Sequence, residues 1–294
     1  ANRAAGMPLR TAGCGRLLSL RCFSLTSAKP MRFYDMTQSN NAARIRLYLS
    51  LKQIGTDRVV TQMMNYEDLA TEAFATVNPL KKVPALIRSD GVTVFESSVI
   101  LSYLDDLFGS LPPRLKPLTA EGRQHMELII RCHDLYVASP NCTAPGFSHC
   151  QGAMYLSYAW HGTARGMDLA CRAAKAHELW KQLSWLESVQ NGPYLAGDSL
   201  SLADLTWFPT AVFMDYLLPR ALGWDPVFVA AGAEARSPCP KVAAWYARLR
   251  EQEPFAKVHA DILDHWVKAD AAGQLQPIRD EIAADETGLK FRYP

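Results

Sequence analysis

The sequence predicts an α/β domain followed by an all-helical domain, on three observations. Strand-like and helix-like runs alternate between residues 31 and 108. A segment with three prolines, 111 to 117, then interrupts the pattern. Beyond it, nearly every recognisable segment repeats its apolar residues at helical spacing. The chain therefore divides into a basic leader (1–30), an α/β domain (31–110), a helical domain (118–268) and a C-terminal extension (269–294).

Residues 31 to 35 read as a short strand. Residues 42 to 52 carry Ile45, Leu47, Leu49 and Leu51 with arginines between them, and Gly55 stops the helix they predict. A second strand is expected over 58 to 63, then a polar loop with a short helix over 65 to 75. Residues 83 to 87 and 92 to 95 are two strands joined by Ser89-Asp90-Gly91, because Asp-Gly tolerates the positive φ of a tight hairpin turn. Residues 97 to 108 return to helical spacing, so the order is βαβ, then ββα. After the linker, 119 to 138 and 172 to 189 read as long helices. The stretch between them, 139 to 167, is rich in Pro, Gly, Ser and aromatic residues, and a loop of that length is usually functional or disordered. Ser201-Leu202-Ala203-Asp204 is a capping box with Asp where Glu or Gln is usual, flanked by Leu200 and Leu205 as a hydrophobic staple. A last helix over 242 to 251 and an extended tail from Pro254 complete the expectation.

Composition narrows the function. With 49% hydrophobic and 20% charged residues and a net charge of +2, the chain is an ordinary soluble globular protein. Arg3, Arg10, Arg16, Arg21 and Lys29 precede the first acid, Asp35, so the remainder is slightly acidic and offers no basic face for nucleic acid. No apolar run approaches the roughly 18 residues of a membrane span. The seven cysteines include no C-x-x-C pair, which suggests neither a disulfide framework nor a zinc site. His133, His149 and His161 also lack metal-ligand spacing and read as surface or satisfied histidines; no metal is expected. The leader, rich in arginine, serine and small residues, has the composition of an organelle transit peptide, and Arg21-Cys22-Phe23-Ser24 resembles a mitochondrial processing site. Mitochondria are the expected location, with plastid or cytosol as alternatives and a plain disordered basic tail as the unaddressed reading.

Three stretches carry a resemblance. Asn78-Pro79-Leu80-Lys81-Lys82-Val83-Pro84-Ala85-Leu86, then Phe95-Glu96-Ser97, then Tyr194-Leu195-Ala196-Gly197-Asp198 leading into the Ser201 helix, together resemble the cytosolic-type glutathione transferases over residues 31 to about 260. The middle motif, and residues 255 to 266 as an extension over the active site, are similar to the theta class. Ser39 ahead of Arg44-Ile45-Arg46 is similar to the zeta class. The resemblance implies a thioredoxin-like N-terminal domain, a helical-bundle C-terminal domain, a homodimer, and glutathione as cosubstrate for attack on a small hydrophobic electrophile.

Onto matching positions the resemblance carries Ser39 as the residue that activates the glutathione thiol. Its hydroxyl, between the first strand and the first helix, would donate to the sulfur anion and share the field of the helix N-terminus. From the residues alone, Ser39 or Asn40 is equally a helix N-cap. Asn40 and Asn41 are candidate amide donors. Val83-Pro84 is the family's cis-proline position, where the valine backbone pairs with the cysteinyl part of glutathione; read bare, it is an extended residue before a strand. Glu96 and Ser97 would hold the ends of the γ-glutamyl group, or simply cap a helix. Lys82 would meet the glycyl carboxylate, or remain solvated. Tyr136, Trp160 and Trp266 are candidates for the second-substrate pocket, although large aromatics in helical domains are more often core. Tyr66-Glu67-Asp68 stands where the theta class has a basic pair, which puts the grip on the glycyl end in doubt. No cysteine stands near Ser39, which argues against glutaredoxin-like disulfide exchange. Two other classes of function compete with catalysis: a scaffold or accessory subunit of a larger organelle complex, and a non-catalytic ligand carrier.

Overall fold

Strand β1 (Met31–Asp35) sends Met31 and Phe33 into the main core and Tyr34 to its other face, where Tyr34 packs with Phe74 and Ala85 in a second, smaller cluster. The protein is described by a computed structural model over residues 29–138, 169–229 and 236–294. The expectations for residues 1–28 and for the 139–167 stretch, including Cys14, Cys22, Cys142, Cys150, His149, Trp160 and His161, lie outside these residues.

β1 pairs in parallel with β2 (Val59–Met63), and a parallel pair requires a crossover, which α1 (Asn40–Leu51) supplies. β1 also pairs antiparallel with β3 (Ala85–Ile87), and β3 with β4 (Thr93–Phe95), giving the order β2-β1-β3-β4. Gly91, at φ 87°, makes the turn between β3 and β4. Helix α4 (Ser97–Phe108) follows and packs beside α1. The segment expected as a loop and one short helix is instead two abutting helices, α2 (Tyr66–Ala70) and α3 (Glu72–Val77). Thr71 ends the first and caps the second, its hydroxyl accepting from Phe74 N at 3.1 Å.

Lys52, buried at the end of α1, donates to the carbonyls of Leu111 (2.6 Å) and Pro113 (2.8 Å), which pins the proline-rich linker to the α/β half. Helix α5 (Ala120–Cys132) then runs into a π-helical turn, His133–Val137. Helices α6 (Leu169–Val189), α7 (Leu202–Leu222) and α8 (Pro240–Arg250) follow. Helix α7 is apolar around most of its circumference and is the central element, packing on α1 and α5. Its capping box contains the buried Asp204, whose carboxylate accepts from Ser201 N (2.8 Å), Ser201 Oγ (2.8 Å), Leu195 N (2.9 Å) and Trp245 Nε1 (2.8 Å). Burial raises the Asp204 carboxyl above its ordinary range, and those bonds oppose it.

The extended tail expected from Pro254 is corrected by the structure. Residues Phe255–Ala271 form α9 and Gln276–Ala283 form α10. Proline obstructs a helix interior but suits a helix start, and Phe255, Val258, Ile262, Trp266 and Ala269 recur at helical spacing on the buried face of α9, which packs on α7. The chain end is also folded back, with Leu275, Ile278 and Phe291 buried and Trp224 Nε1 donating to Phe291 O at 2.6 Å. Among the described residues no helix is long and apolar enough to cross a membrane.

Candidate functional site

The strand register brings three segments to one end of the sheet. Tyr34 lies opposite Ala85, and Ala85 opposite Phe95. The chain leaving β1 toward Ser39, the chain entering β3 through Val83-Pro84, and the chain leaving β4 into Glu96-Ser97 therefore converge there. Both α1 and α4 begin at this end, so their N-terminal N–H groups and positive dipole ends face the same region.

Ser39 is the N-cap of α1, its hydroxyl accepting from Ala42 N at 3.1 Å. A hydroxyl has two acceptor lone pairs and one proton, so capping occupies an acceptor site and leaves the proton available to donate. The two sequence-level roles of Ser39 are thus compatible. The loop that carries it is pinned by Arg46, which contacts both Asp35 carboxylate oxygens (2.9 and 3.0 Å), Met36 O (3.2 Å) and Thr37 O (2.7 Å). Asp35 is fully buried; burial raises its carboxyl, and the Arg46 charge and the Met36 N–H (2.7 Å) counter that.

The start of α4 is built differently. Glu96 precedes it at φ 69°, a left-handed conformation that costs a non-glycine residue about 1 kcal/mol or more, and makes no side-chain cap. Ser97 is buried and its hydroxyl accepts from Arg44. The Val83–Pro84 peptide is cis. Asn78 holds the approach to it, its amide donating to Lys82 O (2.7 Å) and its carbonyl accepting from Leu80 N (3.0 Å), while Lys82 itself is exposed. Asp68, in the acidic stretch that departs from the theta pattern, caps α2 reciprocally with Asn65 (2.8 and 2.9 Å).

Behind these segments lies a buried polar network that sequence reading missed. Arg44 pairs with Asp134 at 3.1 Å and donates to Asn41 Oδ1 at 3.1 Å. Burial would raise the Asp134 carboxyl, yet the Arg44 guanidinium and the His133 ring outweigh it and hold the group down to about 2. His133 is fully buried between Asp134 (2.9 Å) and Thr210 Oγ1 (2.8 Å), and Thr210 Oγ1 also accepts from Asn40 Nδ2 at 2.9 Å. Burial lowers the His133 pKa, against the pull of Asp134. The arginine at 44 was the available signal; nothing local marked His133, Asp134 or Thr210 as its neighbours.

The fold thus brings together Ser39, Asn40, Asn41, Val83, Pro84, Glu96 and Ser97. Of the candidates for the second pocket, Tyr136 is exposed on the π-helical turn and Trp266 is buried in α9, edge-on to Phe213 with ring centroids 5.2 Å apart. Among the described residues, no group of three or more His, Cys, Asp or Glu is placed to hold a metal ion.

Comparison with known proteins bears on this geometry. Residues 38–107 match the family model of the glutathione S-transferase N-terminal domain, and residues 170–248 match that of the glutathione S-transferase C-terminal domain. The chain is 30% identical to glutathione S-transferase theta-1 of Rattus norvegicus over 204 residues, covering 66% of this chain and 72% of the relative. It is 28% identical to maleylacetoacetate isomerase of Mus musculus over 187 residues, 63% of this chain and 78% of the relative. A solved structure of a maleyl pyruvate isomerase, a bacterial glutathione S-transferase in the zeta class, superposes with a TM-score of 0.55 at 20% identity, covering 77% of this chain and 95% of that one.

Proposed function

The chain belongs to the glutathione S-transferase family, with theta- and zeta-like relatives, and from that premise we propose that it is an enzyme that activates glutathione as a thiolate against small hydrophobic electrophiles. The observation that carries this reading is the convergence of the Ser39 cap, the cis Val83–Pro84 peptide and the Glu96–Ser97 helix start at one sheet end. Extended backbone at Val83 pairs with the cysteinyl residue of glutathione as an added strand would. The N–H groups that begin α4 take the γ-glutamyl carboxylate, and the exposed Glu96 takes its ammonium. The sulfur then lies against the start of α1, where the Ser39 proton and the helix dipole stabilise its anion.

The required effect is modest. Lowering a thiol from about 8.5 to about 6.5 raises its thiolate fraction at pH 7 from about 3% to about 75%, for roughly 2.7 kcal/mol. A hydrogen bond to a charged acceptor contributes about 1.5–3 kcal/mol, so one hydroxyl and a helix end suffice. Serine acts here as a donor, and the thiol proton leaves to solvent. The thiolate then forms a carbon–sulfur bond with the electrophile, either expelling a leaving group with its electron pair or adding to a polarised double bond, whose carbanion takes a proton from solvent. The isomerase name of the mouse relative supports testing one further reaction of the same thiolate: reversible addition to a cis double bond, rotation about the resulting single bond, and elimination of the thiolate.

Calorimetry of glutathione binding to the protein lacking residues 1 to 23, with ultraviolet detection of bound thiolate across pH, tests the reading. Binding with a lowered thiol pKa is expected; no binding at millimolar glutathione overturns it. We further propose a homodimer. Exposed Val99 and Leu107 on α4 and Leu128 on α5 support it, and a monomeric mass by light scattering would remove it. The leader is proposed to direct the chain to mitochondria, which a fluorescent fusion of residues 1–30 checks.

A further inference from the structure

We propose, resting on that glutathione reading, that His133 and Thr210 are positioning residues for Ser39: a buried chain of hydrogen bonds, Asp134–His133–Thr210–Asn40, sets the rotation and depth of the first turn of α1.

The chain has a defined direction. Asp134 Oδ1 lies 2.9 Å from His133 Nδ1, and Asp134 is an ionised acceptor beside Arg44. Two acceptors at that separation would repel, so Nδ1 carries the proton. Burial, aided by the Arg44 charge, outweighs the pull of Asp134 toward an imidazolium, which favours the neutral ring and leaves Nε2 as the acceptor. Thr210 Oγ1, at 2.8 Å, donates its proton to Nε2 and uses a lone pair to accept from Asn40 Nδ2 at 2.9 Å. Asn40 Oδ1 accepts from Asn41 N at 2.9 Å. Each hydrogen bond between the Asp134 carboxylate and the Asn41 amide then has one donor and one acceptor.

The placement of this chain is what makes it a positioning device. His133 sits where α5 passes into the π-helical turn, Thr210 in the middle of α7, and Asn40 is the first residue of α1, directly after Ser39. Apolar side chains already hold α1 against α7, and nonpolar contact tolerates sliding and rotation. Hydrogen bonds between buried groups do not, because a misaligned pair leaves a desolvated donor or acceptor unmet. Arg46 fixes the approach to Ser39 from the β1 side, and the Thr210–Asn40 bond fixes the exit from it on the α7 side. Ser39 is held between the two.

Thr210→Val keeps the side-chain shape and deletes the hydroxyl, and Thr210→Ser restores the hydroxyl. In the first, the pKa of enzyme-bound glutathione is expected to rise by about one unit, with KM for glutathione within about twofold of wild type and the loss appearing in kcat. Thr210→Ser is expected to recover most of it. A wild-type thiol pKa in Thr210→Val, or no recovery in Thr210→Ser, overturns the proposal. Two measurements on the ligand-free protein separate it from the glutathione reading. Nitrogen-15 NMR of the histidine rings is expected to show His133 protonated at Nδ1 and bare at Nε2. Amide exchange at Ala42, whose N–H is capped by Ser39, is expected to quicken in Thr210→Val. Absence of a lowered thiol pKa in wild type sinks the glutathione reading alone. An Nε2–H tautomer, or unchanged exchange at Ala42, sinks the positioning role whatever glutathione does, and the tautomer decides it if Thr210→Val does not fold.

Discussion

Two helices begin at the same end of the sheet, and they begin in opposite ways. Helix α1 has a side-chain cap, an ordinary extended N-cap at Ser39 (φ −75°), and a loop nailed down by Arg46. Helix α4 has neither cap nor relaxed backbone: Glu96 stands at φ 69° with no side-chain bond to the helix N–H groups. A capped start holds one functional group in a fixed place, whereas an uncapped start leaves N–H donors for an anion from outside. The division of labour in the proposed mechanism follows, with α1 acting on the sulfur and α4 gripping the γ-glutamyl carboxylate.

Changes at Ser39 probe that contrast hardest. Ser39→Ala is expected to lower kcat/KM at pH 6.5 by about 10- to 100-fold and to raise the bound-thiol pKa by about one to two units, read from the pH–rate profile. Ser39→Asp separates capping from activation. Aspartate caps a helix about as well as serine, so stability should stay within about 0.5 kcal/mol in a urea melt, while its charge against the sulfur abolishes the thiolate.

The next effect concerns what stands behind both helices. The Asp134 carboxyl titrates at about 2 in the folded chain against 3.8 in the open, so on acidification the unfolded chain takes up the proton first. Its contribution of about 2 kcal/mol is complete above about pH 5 and is lost as pH falls toward 2. The lowered pKa of His133 acts in the same direction from 6.5 downward, since the unfolded chain binds a proton that the buried ring resists. Stability should therefore fall steadily as pH drops from about 6.5 toward 2, which chemical denaturation at stepped pH measures.

At α4 the effects are smaller and fall on binding. Ser97→Ala is expected to raise KM for glutathione about 5- to 10-fold at nearly constant kcat, the pattern of lost ground-state binding. A fall in kcat with unchanged KM would assign activation to α4 and break the comparison. Glu96→Gly relieves the left-handed residue, so stability should be unchanged or up to about 1 kcal/mol higher, while KM rises because the carboxylate is gone.

What could be read from the sequence was local. The Asp-Gly hairpin, the span of α4 from Ser97 to Phe108, and the Ser201-to-Asp204 capping box each depend on residues within a few positions of one another. Ser39 was legible as both N-cap and thiol-activating candidate for the same reason. Helix α9 was not, because a proline before an apolar-periodic run reads as a break until the buried face that organises the run is present. The network behind the site was out of reach for a stronger reason: Asn40 and Thr210 are 170 positions apart, Arg44 and Asp134 are 90 apart, and an isolated Thr or Asp in a helix carries no mark of a distant partner.

The sequence by itself determined the helix starts, the strand alternation and the family motifs, because capping, φ preferences and apolar periodicity act over one or two turns of chain. Only the tertiary structure decided that two helix starts share one sheet end, that Trp266 is buried in the core, and that a histidine and a threonine from the helical half stand behind Ser39. Those are consequences of how the strands register and how α7 packs on α1, and packing joins residues whose separation along the chain holds no information about their distance in space.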